Sequence, residues 1–165
     1  MKLIREHIGF ERNIDPKKAM GVGLETKIRE WLKEYRIAKY ELDENLMIST
    51  YNEVNLNTAG LFELPDYIKF NEVFADFHIN WNNLHNLKNC PIKIYGSFWA
   101  NGNPLTSLEG SPVYVSKTYA IAKACGFTEK DIRKVCNVVN DVHLTNIQRE
   151  QTFAQLKKIR ERHGF

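Results

Sequence analysis

The sequence predicts an α+β fold: a short β-solenoid of about three repeats flanked by N-terminal and C-terminal helices. Three observations predict it. Segments in the middle of the chain superpose on one another at fixed offsets. Apolar residues within them fall two apart, as on one face of a strand. Helix-period apolar stripes and helix-start signals lie outside the repeating region. Residues 1–50 read as a helical N-terminal cap, 51–127 as the repeat array and 128–165 as a helical C-terminal cap, all packed as one domain.

The array is the first element to justify. Residues 74–87 read FADFHINWNNLHNL and residues 95–108 read YGSFWANGNPLTSL. At an offset of 21, Phe74 meets Tyr95, Phe77 meets Phe98, Ile79 meets Ala100, Asn82 meets Asn103, Leu84 meets Leu105 and Leu87 meets Leu108. An offset of 23 brings Tyr51, Val54, Leu56, Ala59, Leu61 and Leu64 onto the same places. The shared pattern is L-x-x-L-x-L-x-x-N-x-L, a leucine-rich-repeat signature with aromatics or Val at some Leu places. Pro65, Pro91 and Pro112 each precede an apolar pair: Tyr67/Ile68, Ile92/Ile94 and Val113/Val115. A fourth copy begins at residues 109–121 and stops where Ala124 and Gly126 replace Asn and Leu.

The spacing carries a physical reading. Val54/Leu56, Phe77/Ile79 and Phe98/Ala100 each turn to one side of a short strand, and stacked strands pool them into one core. Asn82 and Asn103 sit where the chain leaves the strand. A turned-in carboxamide there can satisfy loop backbone groups that burial would leave unpaired. Ala59 cannot, so the first repeat is expected to be irregular.

The ends read as helical. Residues 2–12 form a short helix, and Asp15-Pro16 starts another. Gly21 and Gly23 interrupt it, and a further helix runs roughly from Leu24 to Tyr35, with Ile28, Trp31, Leu32 and Tyr35 on one stripe. Residues 36–50 form the first strands. After the array, Thr128 caps a helix with Asp131 placed for a capping box. Ile132, Val135, Cys136, Val139 and Val142 mark its apolar face. A last helix spans roughly Asn146 to Arg162.

Composition bounds the function. With 43% apolar residues the chain can bury a core. No apolar run approaches the ~20 residues of a membrane helix. The start, MKLIREHIGF, carries Arg5, Glu6 and His7 where a secretory signal needs an apolar stretch. The reading is a cytoplasmic protein, neither secreted nor membrane-bound. Cys90, Cys125 and Cys136 follow no disulfide or zinc spacing, and neither a metal nor a cofactor is expected. Charge is uneven: residues 41–115 hold three Lys/Arg and nine Asp/Glu, whereas 1–40 carry a net +4 and 116–165 a net +5.

Residues 84–112 (LHNLKNCPIKIYGSFWANGNPLTSLEGSP) resemble the short, helix-poor leucine-rich repeats of bacterial effectors and of many small phage-encoded proteins, NPLTSLEGSP (103–112) most of all. FERNIDPKKAMGVG (10–23) resembles the start of uncharacterised tailed-phage proteins that carry such repeats. The resemblance implies strands lining a concave face, protein binding, phage origin (hence the host cytoplasm) and no catalytic residues. The array departs from the family in being near the minimum length and in having short, β-like convex segments.

Outward positions form columns: Glu53, Asp76 and Ser97; Asn55, His78 and Trp99; Asn57, Asn80 and Asn101. Asp76, His78, Asn80, Trp99 and Asn101 are the candidate protein-binding face. An exposed Trp beside polar neighbours suits an anchor; the competing reading buries Trp99 under the terminal helices. His78 and His85 lack the partners of a metal site. Gly21-x-Gly23 is a helix break rather than a phosphate loop, and Cys136 is core packing. Lys157, Lys158, Arg160 and Arg162 are the candidate nucleic-acid contacts, or else the solvated face of a capping helix. The expectation is a non-enzymatic, phage-encoded interaction module that binds a host or virion protein. The alternatives are nucleic-acid binding through the basic C-terminal helices and self-assembly through an open strand edge.

Overall fold

The computed structural model describes residues 16–146, and the chain divides into two compact units, residues 1–36 and 37–165. The described part of the first unit is one helix, α1 (Pro16–Glu34). Pro16 opens it, where a missing N–H costs nothing. The helix continues through Gly21 and Gly23, where the sequence predicts a break. A mid-helix glycine costs about 1 kcal/mol against Ala, a penalty that weakens a helix without ending it. Ile28, Trp31 and Leu32 are buried, and Arg29 pairs with Glu25 one turn back at 2.7 Å. Arg36 takes φ 57°, and its N–H returns to the Lys33 carbonyl at 3.0 Å.

In the second unit, β1 (Tyr40–Leu42) and β2 (Ile48–Thr50) form an antiparallel hairpin. Asp43 holds its turn by accepting the Asn45 and Met47 N–H groups at 2.8 and 2.9 Å. From there the chain alternates between two sheets. Strands β3 (Val54–Asn55), β5 (Phe77–His78), β7 (Phe98–Trp99), β9 (Tyr119–Ala122) and β11 (Val142–Thr145) form a five-stranded sheet, parallel throughout. Strands β4 (Phe70–Val73), β6 (Lys93–Ile94), β8 (Tyr114–Val115) and β10 (Asn137–Val138) join β2 in parallel, with β1 at the edge, to give a mixed six-stranded sheet. Parallel neighbours require a crossover. Here each crossover supplies a strand to the other sheet.

The core lies between the sheets. Val54, Phe77, Phe98 and Tyr119 are cross-strand partners in series and fully buried. Val73, Ile94 and Val115 form the facing series. Phe70 meets Phe77 across the gap, ring edge to ring face, at 5.5 Å. Burial also covers Leu56, Ile79 and Ala100. The first Leu place of the repeat behaves differently: its occupants Tyr51, Phe74 and Tyr95 are exposed.

Asn82 and Asn103 are buried and tie neighbouring rungs together. Asn82 Oδ1 accepts the Leu61 N–H at 3.0 Å, and its Nδ2 donates to the Leu56 and Ile79 carbonyls at 2.9 and 3.1 Å. Asn103 repeats the arrangement one rung on, accepting from Asn82 N–H and donating to the Ile79 and Ala100 carbonyls. The backbone turns just before each Asn: Trp81 and Gly102 share positive φ, 61° and 72°, as does Thr58 (55°) in the preceding rung. A Cβ at Gly102 would collide with the Trp81 indole, so glycine is required there on both counts.

The expected α+β fold, a short leucine-rich-repeat-like β-solenoid of about three repeats flanked by N-terminal and C-terminal helices, is corrected by this arrangement. The described chain is α/β, with two helices and two sheets of six and five strands rather than a closed solenoid. Two misreadings account for the difference. The apolar pairs after Pro91 and Pro112 are strands of a full second sheet, β6 and β8. Residues assigned to a C-terminal capping helix instead pair as strands: Val138 with Val115, and Val142 with Tyr119. Nor do the helices flank an array: α2 (Glu129–Val135) is inserted between β9 and β10, after a 3-10 turn at Lys123–Cys125. The expected helices over 2–12 and after Asn146 lie outside the described residues.

Helix α2 has the expected capping box. Thr128 Oγ1 accepts the Asp131 N–H at 3.2 Å, and the Asp131 carboxylate accepts the Thr128 N–H at 2.9 Å. The Thr128 N–H and hydroxyl both donate to that carboxylate, at 2.9 Å each, and hold the Asp131 carboxyl below its ordinary value. A depressed carboxyl stabilises the fold above its unfolded pKa and loses that contribution as pH falls through the folded one. Thr128→Ala removes the Oγ1 acceptor that caps the helix and is expected to cost about 1 kcal/mol at neutral pH. Urea midpoints should show the deficit narrowing in acid; an equal deficit at both pH values would sever it from the Asp131 charge.

Candidate functional site

The parallel register stacks the outward residues of the five-stranded sheet in columns. Asn55, His78, Trp99 and Ala120 are successive cross-strand partners, and His143 follows Ala120. Adjacent parallel strands lie about 4.8 Å apart, close enough for planar side chains to meet. The His78 and Trp99 rings do so, 6.3 Å between centroids and only 8° from parallel. Both are half-buried. Trp99 keeps part of its surface accessible.

Carboxylates border this pair. His78 Nε2 lies 3.7 Å from Glu53 and 3.9 Å from Asp76. Glu53 is largely exposed, whereas one oxygen of Asp76 is occupied by the Ser97 N–H at 2.8 Å. Trp99 Nε1 is buried and has no acceptor among the described residues. A buried donor left unmatched costs about 1–3 kcal/mol. Among the described residues it is the one buried side-chain polar atom without a hydrogen-bond partner.

The asparagine column is more structural. Asn57 Oδ1 accepts the Asn80 N–H, and Asn80 Oδ1 accepts the Asn101 N–H, both at 2.8 Å. Asn80 remains partly exposed, but Asn101 is buried. The Asn101 carboxamide accepts the Thr145 hydroxyl at 2.9 Å, past Ala122, which has no long side chain to intervene. Of the five residues singled out in the sequence, Asp76, His78 and Trp99 come together on accessible surface. Asn80 borders them, and Asn101 is committed to holding the sheet. Ala120, next in the His78–Trp99 column, is also buried, so the accessible part of this face centres on β5 and β7.

Other candidates resolve without chemistry. Burial pushes the Cys90 thiol up, and it pushes that of Cys136 up to about 12; both are thiols rather than reactive thiolates at neutral pH. His85 is an exposed turn residue whose carbonyl accepts the Thr106 and Ser107 N–H groups. Among the described residues, no group of three His, Cys, Asp or Glu side chains is assembled for a metal ion. No described helix is long and apolar enough to cross a membrane. Lys157, Lys158, Arg160 and Arg162 lie outside the described residues. Two features go beyond the sequence expectations: the unmatched Trp99 donor, which no residue pattern signals, and the outward turn of Tyr51, Phe74 and Tyr95, whose shared repeat position is visible in the sequence but whose orientation is not. Comparison of the chain with family models, curated proteins and solved structures gave no match.

Proposed function

We propose that this chain is a non-enzymatic protein-interaction module that engages its partner through the outer face of the five-stranded sheet at β5 and β7. The observation that carries the reading is the parallel His78–Trp99 pair with its unmatched indole donor. A half-exposed Trp beside a second ring offers apolar area at little entropic cost. A carbonyl from a partner, reaching Nε1 after a small side-chain adjustment, would remove the cost of the buried unpaired donor. Glu53 and Asp76 border the rings and suit a polar rim. The resemblance to phage-encoded proteins makes a host or virion protein the partner to seek.

The test is a pull-down from nuclease-treated host lysate, comparing the wild type with a His78→Ala/Trp99→Ala variant shown to be folded by circular dichroism. Loss of a captured protein in the variant is expected. Capture that is undiminished in the folded variant would remove this face from the interaction. Retention only when nucleic acid is left intact would move the function to the basic residues Lys157, Lys158, Arg160 and Arg162.

A further inference from the structure

At the corner where the chain passes from the six-stranded to the five-stranded sheet, Tyr51, Phe74 and Tyr95 form an outward ladder. Their rings stack nearly parallel, Tyr51 on Phe74 at 5.3 Å and Phe74 on Tyr95 at 5.0 Å. All three are exposed, at 48%, 43% and 38%. Stacking consumes the ring faces along the ladder, so the stripe presents ring edges to solvent.

Carboxylates line both sides. On the six-stranded side, the Tyr95 hydroxyl donates to Glu72 at 3.2 Å. The Tyr51 phenol is raised by its hydrogen bond to Glu41 and by the nearby charges of Glu41 and Glu72. On the other side stand Glu53 and Asp76, each two residues beyond a ladder residue in sequence. The bordering cations are Lys39, whose carbonyl accepts the Tyr51 N–H at 3.0 Å, and Lys93, in register with Glu72; Lys117 lies one rung further along. The ladder residues themselves lie in the stretch 41–115, which holds nine acids against three bases, in a chain whose net charge is +3.

We infer that this aromatic corner docks a Lys/Arg-rich extended segment of a protein partner. Charge complementarity selects that occupant. The aliphatic stems of Lys and Arg lie along apolar ring edges while their charged heads reach carboxylates on either side. The positive net charge of the whole chain opposes indiscriminate attraction of a cationic peptide, so binding has to come from a local surface. The inference rests on the protein-binding reading above and shares Glu53 and Asp76 with that face, but it centres on Tyr51, Phe74 and Tyr95 and on the carboxylates Glu41 and Glu72 beyond them.

The experiment measures binding of a short fluorescent Lys/Arg-rich peptide to the full chain by anisotropy, with a Glu/Asp-rich peptide of equal length as control. Three variants are compared with wild type: Glu41→Gln/Glu72→Gln, Tyr51→Ser/Phe74→Ser and His78→Ala/Trp99→Ala. The basic peptide should bind and the acidic one should not. Affinity should fall about fivefold in the glutamine variant, the sum of two exposed ion pairs, and should also fall in the serine variant. It should not fall in His78→Ala/Trp99→Ala, which leaves the ladder, Glu41 and Glu72 in place and removes the imidazole from beside Glu53 and Asp76. Because the glutamine variant keeps every apolar contact, it remains informative if the serine variant unfolds. Absence of binding, equal binding of both peptides, or wild-type affinity in the glutamine variant overturns the inference. Each of those results leaves the pull-down through Trp99 free to succeed or fail on its own.

Discussion

Replacing Asn82 with leucine is expected to destabilise the fold by about 3 kcal/mol, although the new side chain is similar in size and far more apolar. The site is fully buried, so a view of the core as hydrophobic volume predicts little loss or a gain. Hydrogen bonding predicts the opposite. Asn82 Oδ1 accepts the Leu61 N–H, and Nδ2 donates to the Leu56 carbonyl. Leucine orphans both groups, at about 1–3 kcal/mol each. The Ile79 carbonyl is spared because Asn103 Nδ2 also reaches it, at 2.9 Å. Urea denaturation of wild type and variant decides the matter; a midpoint equal to or above wild type would mean that the carboxamide is incidental.

Phe98→Ala is expected to cost about 3–5 kcal/mol, the range for emptying a buried phenylalanine site. Phe98 is fully buried in the middle of the aromatic series, with Phe77 at 6.1 Å on one side and the Tyr119 ring at 4.9 Å, edge-on, on the other. Neither neighbour can collapse into the gap freely. The Tyr119 hydroxyl is bound to Ser111 at 2.9 Å, and Phe77 is wedged against Phe70. Phe98→Leu keeps most of the volume and should cost no more than about 1.5 kcal/mol. Thermal unfolding of the two variants side by side checks the ordering; similar losses would show that volume at this position is not what holds the series.

Much of the five-stranded sheet was legible because its buried residues keep their character from rung to rung. Val54, Phe77 and Phe98 align at the offsets that the register then displays, and the adjacency of His78 and Trp99 follows from the same alignment. The six-stranded sheet was harder to read. Lys93–Ile94 and Tyr114–Val115 each bury one residue, without the second buried apolar residue two places on that marks Val54/Leu56 and Phe77/Ile79. The final rung was misread for a different reason. Ile132, Val135, Cys136, Val139 and Val142 fit helical spacing, yet Val135 and Val139 are exposed while Cys136 and Val138 are buried two apart. Tertiary pairing with β8 and β9 overrides the local period there. At the candidate face, side-chain type alone could not separate Asn80, partly exposed, from Asn101, which the Thr145 hydroxyl draws into the structure.

The uniform spacing of the rungs also governs how this unit forms. Parallel partners such as Val54 and Phe77, or Phe98 and Tyr119, are separated by 23 and 21 residues, so each new pairing closes a chain segment of nearly constant length. The entropy of closure grows only as the logarithm of that length, so it is nearly the same at every step. Growth can then proceed from any formed rung to its neighbour without a distant search, which favours faster folding than in a β protein built from remote pairings. The Thr145–Asn101 hydrogen bond, spanning 44 residues, departs from this rule. It has no means of forming early and closes only once the strand carrying Ala122 has already brought its two ends together.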